Sequence, residues 1–205
     1  VREKMKKISL SYVSKFGLVL VSFLFFLFFS LGYAQTTPKG DTTKAAAPAK
    51  LKYMGALSCK MCHNLEKTTG KQYDIWAASK HAMAYKDLAG DKAKEVAKAK
   101  GIEDPQKSDK CLKCHVTGFG AAAEEKGPKY DMTEGVECEA CHGPGEKYKD
   151  MKIMKDPKLA KENGMIMPGE KECKVCHNPE SPTYKEFKFA EAFKVIAHPI
   201  PKKTK

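Results

Sequence analysis

All eight cysteines of this chain lie in one pattern, C-x-x-C-H, which occurs four times. The copies are Cys59-Lys60-Met61-Cys62-His63, Cys111-Leu112-Lys113-Cys114-His115, Cys138-Glu139-Ala140-Cys141-His142 and Cys173-Lys174-Val175-Cys176-His177. This spacing is the attachment site of c-type haem: two thioethers hold the porphyrin edge, and the imidazole that follows reaches the iron. Zinc sites and dithiol redox centres also use C-x-x-C, but neither needs a histidine directly after it. A secreted disulfide framework uses eight cysteines as readily, yet leaves the histidines unexplained. Histidine is scarce, six in 205 residues, and four of the six follow a second cysteine. The chain therefore reads as a carrier of four covalently bound haem c groups, with His63, His115, His142 and His177 on the irons. It is not rich in apolar side chains, so haem is expected to supply much of the buried surface and folding to depend on it.

The N-terminus agrees with that chemistry. Arg2, Lys4, Lys6 and Lys7 precede an apolar run from Phe16 to Leu31, followed by Gly32-Tyr33-Ala34. This pattern predicts a secretory signal over residues 1–34, cleaved near Ala34, and a periplasmic or otherwise exported protein. An uncleaved leader would be the one route to a membrane. Residues 35–50 are Thr, Ala, Lys and Pro with almost no apolar bulk, and predict a disordered linker. The haem-bearing domain is expected over 51–205. The whole chain has a net charge of +12, and its first 34 residues hold five basic groups and one acidic group. The remainder is then about +8, or about +4 with four ferric haems whose propionates are ionised. The lysines are scattered, with no basic patch interleaved with aromatics. The charge points away from nucleic acid and suits an acidic redox partner protein.

Along the domain, Lys71 to Leu88 predicts a helix carrying Tyr73, Trp76, His81 and Met83. Asp91 to Lys100 predicts another, stopped by Gly101. Gly118-Phe119-Gly120 and Gly143-Pro144-Gly145 are turns beside the second and third motifs. Residues 146–162 are expected to be helical in part, and Tyr184 to Ala197 forms the last helix before His198-Pro199. Successive first cysteines are 52, 27 and 35 residues apart, which argues against a regular array of repeats. No segment shows useful strand alternation. The expected fold is mainly α with extensive irregular loops.

Several segments carry a more specific likeness. Trp76-Ala77-Ala78-Ser79-Lys80-His81-Ala82, Cys114-His115-Val116-Thr117-Gly118-Phe119-Gly120 and Gly135-Val136-Glu137-Cys138-Glu139-Ala140-Cys141-His142-Gly143-Pro144-Gly145 are three of them, joined by Phe187-Lys188-Phe189 and His198. Together they resemble the cytochrome c-554 family from about Tyr53 to His198. The resemblance implies a compact multihaem cytochrome c domain with stacked haems, and a periplasmic tetrahaem electron carrier. Nitrifier members of that family accept electrons from hydroxylamine oxidoreductase. The resemblance also implies bis-histidine ligation at three haems and a five-coordinate second haem. It implies His81 opposite His142, and His198 opposite His177.

Four haems have eight axial positions, and six histidines cannot fill them. The family carries a histidine after its Gly-Pro-Gly turn that caps the first haem. Here that stretch reads Glu146-Lys147-Tyr148-Lys149-Asp150-Met151-Lys152-Ile153-Met154. Met151 or Met154 is a candidate ligand for the iron at His63, Lys152 is another if deprotonated, and an open position is a third reading. Packing is the ordinary role of such methionines. The expected function is electron transfer between redox partner proteins, such as a multihaem oxidoreductase or a membrane quinone-linked complex. The alternatives are reduction of a small molecule such as nitric oxide at an open haem, and a subunit of a conductive haem filament.

Overall fold

Ten short helices joined by turns make up residues 50–198, the part of the chain that the computed structural model describes. The expected signal over 1–34 and nearly all of the expected linker lie outside the described residues. In order the helices are α1 (Ala56–His63), α2 (Gln72–Ala77), α3 (Ala84–Asp87), α4 (Asp91–Ala99) and α5 (Asp109–His115), then α6 (Cys138–His142), α7 (Met151–Met154), α8 (Pro157–Glu162), α9 (Glu170–Lys174) and α10 (Phe189–Ile196). Among the described residues β-pairing is limited to one isolated parallel bridge, Tyr53 with Lys126. The fold is mainly α with extensive loops. No described helix is long and apolar enough to cross a membrane.

Each haem motif rides on a helical turn. That geometry puts residues three and four apart on one face, so both sulfurs and the imidazole can meet one porphyrin. The motif histidine closes α1, α5 and α6. The fourth motif begins in α9 and finishes in a further turn, where His177 N–H donates to Cys173 O at 3.0 Å. The apolar core is small. Leu88, Leu112 and Val116 form its main cluster, with Tyr85 and Cys111 packed against it, and this holds α5 on α3.

Two predicted helices come out differently. The segment 71–88 is split into α2 and α3, and His81 lies in the turn between them. The His81 carbonyl accepts a tight-turn bond from Ala84 N–H at 3.2 Å and a long-range one from Val136 N–H at 3.0 Å, in place of an α-helical bond. Trp76 Nε1–H donates to the carbonyl of that same Val136, which anchors the turn from its other side. The last helix starts at Phe189 rather than Tyr184, because Lys188 is extended and Phe187 leaves the helix axis to stack on the His177 ring. The stop at Gly101 is as expected. Gly101 takes φ +65°, and Ile102 N–H and Gly101 N–H close on the Ala97 and Lys98 carbonyls as a helix-ending motif.

Candidate haem-binding centre

The four motifs do not lie in space in their sequence order. Helix α1 packs on α6, and the Cys59 and Cys138 thiols lie close enough to perturb each other's ionisation, which joins the first motif to the third. Cys114 lies close enough to Cys176 to raise its pKa, which joins the second to the fourth. Cys141 lies close enough to Cys173 and Cys176 for their charges to interact, so the third motif also neighbours the fourth. The spatial order is first, third, fourth, second. An ion pair between Lys113, inside the second motif, and Glu180, just after the fourth, ties that end together.

The histidines are oriented by their Nδ1 atoms. His115 Nδ1 is 2.6 Å from Ala84 O and His142 Nδ1 is 2.9 Å from Ile166 O. His198 Nδ1 lies 3.0 Å from Ile196 O, and His63 Nδ1 meets the Gln72 side-chain oxygen. An acceptor at Nδ1 fixes the N–H there and leaves Nε2 as the lone-pair donor, the arrangement an iron ligand requires. His177 is held instead by Phe187, whose ring stacks on it at 4.6 Å and 18°. Burial, then the neighbouring His177, hold His81 below the usual imidazole range. Burial chiefly does the same to His142 and His177. Neutral rings are the coordinating form.

Two histidine pairs stand out. The His81 and His177 ring centroids are 6.0 Å apart, and those of His142 and His198 are 5.9 Å apart. Two imidazoles on opposite sides of one metal ion, each about 2 Å from it, have centroids roughly 6 Å apart. The donor set as a whole fits haem c. Every cysteine is free of disulfide, and the Cys141 and Cys176 thiols, pushed up to about 11 and about 12 mainly by burial, stay protonated. Leu57, Met61, Leu65 and Val175, in or beside the first and fourth motifs, expose the apolar surface a porphyrin covers.

A family model described as "Cytochrome c554 and c-prime" matches residues 58–143, the span holding the first three motifs. Cytochrome c-554 of Nitrosomonas europaea is 34% identical over 160 residues, covering 69% of this chain and 63% of that protein. The chain belongs to the cytochrome c-554 family. Membership implies covalently bound haem c. The chain spans just under two thirds of the length of that relative, and no solved structure matches it significantly.

Within this cytochrome the histidine pairing is the reverse of the one the family likeness implies. His81 meets His177 rather than His142, and His198 meets His142 rather than His177. His81 sits in the turn that splits the predicted 71–88 helix, and its backbone is tied to Val136. Gln72 spans two sites, since its oxygen meets His63 and its Nε2 lies 3.4 Å from His198 O. Met151 is 60% exposed on α7, and Met154 is half-buried on the same short helix.

Sequence reasoning missed a group of carboxylates beside the first and third motifs. Glu139, inside the third motif, is 2% exposed, and its oxygens accept from the backbone N–H groups of Met54, Gly55 and Gly145. Glu137, 3% exposed, caps α6 by accepting from Glu139 N–H at 2.9 Å, while its Oε1 has no partner. Burial, then the Glu139 charge, push Glu137 well above the usual carboxylate range. Glu134 accepts from Ala56 N–H at 2.9 Å, and burial pushes it up as well. The signal was present as three acidic residues between Gly135's neighbour and the Gly-Pro-Gly turn. Charge at such positions ordinarily means solvent, and only the fold buries it.

Proposed function

We propose that this cytochrome is a periplasmic four-haem electron carrier that relays single electrons between redox partner proteins. The observation that carries the reading is the nearness of the first motif to the third, the third to the fourth, and the fourth to the second. When bound, haem supplies a one-electron iron couple tuned by its axial ligands and surroundings. The protein's part is to hold four attachment points in a continuous sequence and to orient the imidazoles. His81 is the second ligand of the iron at His177, and His198 of the iron at His142. The separations of 6.0 and 5.9 Å support this assignment. The irons at His63 and His115 are then left without a histidine partner, and Met151 and Met154 remain the candidates from this chain at the first.

The test is a haem count together with ligand variants. Mass spectrometry of the exported protein is expected to find four haems, and a smaller number defeats the proposal. Oxidised spectra are expected to show low-spin and high-spin haem together. His81→Ala is expected to convert the haem at Cys173 and Cys176 to high spin, and His198→Ala the haem at Cys138 and Cys141. The opposite pattern restores the family-implied pairing.

A further inference from the structure

The N-terminus of α1, the helix that carries the first motif, is capped by no side chain of its own segment. A helix leaves its first N–H groups without intrahelical partners, and their burial is costly unless something accepts from them. Here the helix's first N–H, that of Ala56, finds its acceptor in the segment leading into the third motif, and the two N–H groups just ahead of it find theirs inside that motif. Glu139 Oε2 accepts from Met54 N–H at 2.7 Å and Gly55 N–H at 2.8 Å, and Glu139 Oε1 accepts from Gly145 N–H at 2.5 Å. Glu134, just ahead of α6, takes Ala56 N–H. Two carboxylates from one segment thus hold the opening of another helix about 80 residues away in sequence. The approach is too close for any side chain at position 55: Gly55 has φ +80°, and a Cβ there would lie 2.2 Å from Lys129 O. Both oxygens of Glu139 face N–H donors, which favours the ionised form and opposes, without cancelling, the upward push of burial on its pKa.

We propose that Glu139, assisted by Glu134, is the positioning residue that sets the distance between the first and third haem attachment sites. It is a buried anion shared by both. It lies inside C-x-x-C-H of the third motif and grips the residues just before Cys59, so a shift of either site must break its bonds. The nearness of Cys59 to Cys138 and the packing of α1 on α6 agree with that grip. As an ion buried between the two sites, Glu139 also favours the oxidised, more positive state of both irons over the reduced state.

This inference rests on the four-haem reading, which the haem count and the parent spectra test first. A parent protein with four haems but no magnetically interacting pair overturns that reading before any variant is made. In Glu139→Gln the side-chain shape is kept, the charge is lost, and an amide N–H₂ faces backbone donors. The expected result is four retained haems, an upward shift in the midpoint potential of the first and third haems, and weakened spin coupling between them by EPR. The second and fourth haems are unmoved. Glu139→Asp restores the charge but is one methylene shorter, so it is expected to recover the potential and not the coupling. If Glu139→Gln fails to mature, Glu134→Gln is expected to disturb the same pair to a smaller degree. A change shared equally by all four haems, or none in the first and third, overturns the proposal.

Discussion

At the scale of single residues, burial decides the chemistry more than residue type does. Burial, then the Glu139 charge, push the Glu137 carboxyl well above the usual range, and its raised pKa ties stability to pH. A folded-state value above the ordinary 4.5 means that its contribution is full below that value and is lost as the pH rises through the folded one. Glu134 and Glu139 are displaced in the same direction, both mainly by burial, and add to the slope. Glu137→Gln keeps an acceptor for Glu139 N–H and removes one titrating group. Thermal melting of the holoprotein across pH is expected to show a shallower alkaline decline in this variant, with stability equal to or above the parent at about pH 8. An unchanged slope would mean that Glu137 is ionised throughout.

At the scale of elements, none of the ten helices is long enough to be stable alone, so local caps and tertiary contacts decide where each begins and ends. The α8 helix begins at Pro157, and Asp156 caps it by accepting from Lys158 and Leu159 N–H at 2.9 and 3.1 Å. Asp156→Ala is expected to cost about 1 kcal/mol in chemical denaturation with haem content unchanged. Residues 146–162 were expected only to be helical in part, whereas the glycine stop of α4 was legible in the sequence because it depends on neighbours within a turn. The break between α2 and α3 was not. It depends on Val136, which answers the His81 carbonyl and the Trp76 indole from more than fifty residues away. The start of α10 was hidden for the same reason, since Phe187 is drawn out of the helix by the His177 ring.

At the scale of the whole molecule, the attachment motifs lie half-buried side by side, and their spatial order sets what each contributes. The third and fourth motifs lie inside the order and the first and second at its ends. Removing the third haem with Cys138→Ala and Cys141→Ala is expected to separate the first site from the others. Removing the second with Cys111→Ala and Cys114→Ala leaves three sites in contact. Limited proteolysis and intramolecular electron equilibration are expected to suffer far more in the first variant than in the second; equal damage would argue against the order. The sequence alone determined the four C-x-x-C-H motifs that mark haem c attachment, the histidine that ends each, and the presence of only two histidines outside them, because covalent chemistry and residue counts do not depend on the fold. Only the tertiary structure decided that the motifs run first, third, fourth, second, and that His81 meets His177 and His198 meets His142. It also decided that Glu139 lies buried between two attachment sites. Each of these arises from groups distant along the chain meeting in a small core, where a buried polar atom must find a partner wherever the chain supplies one.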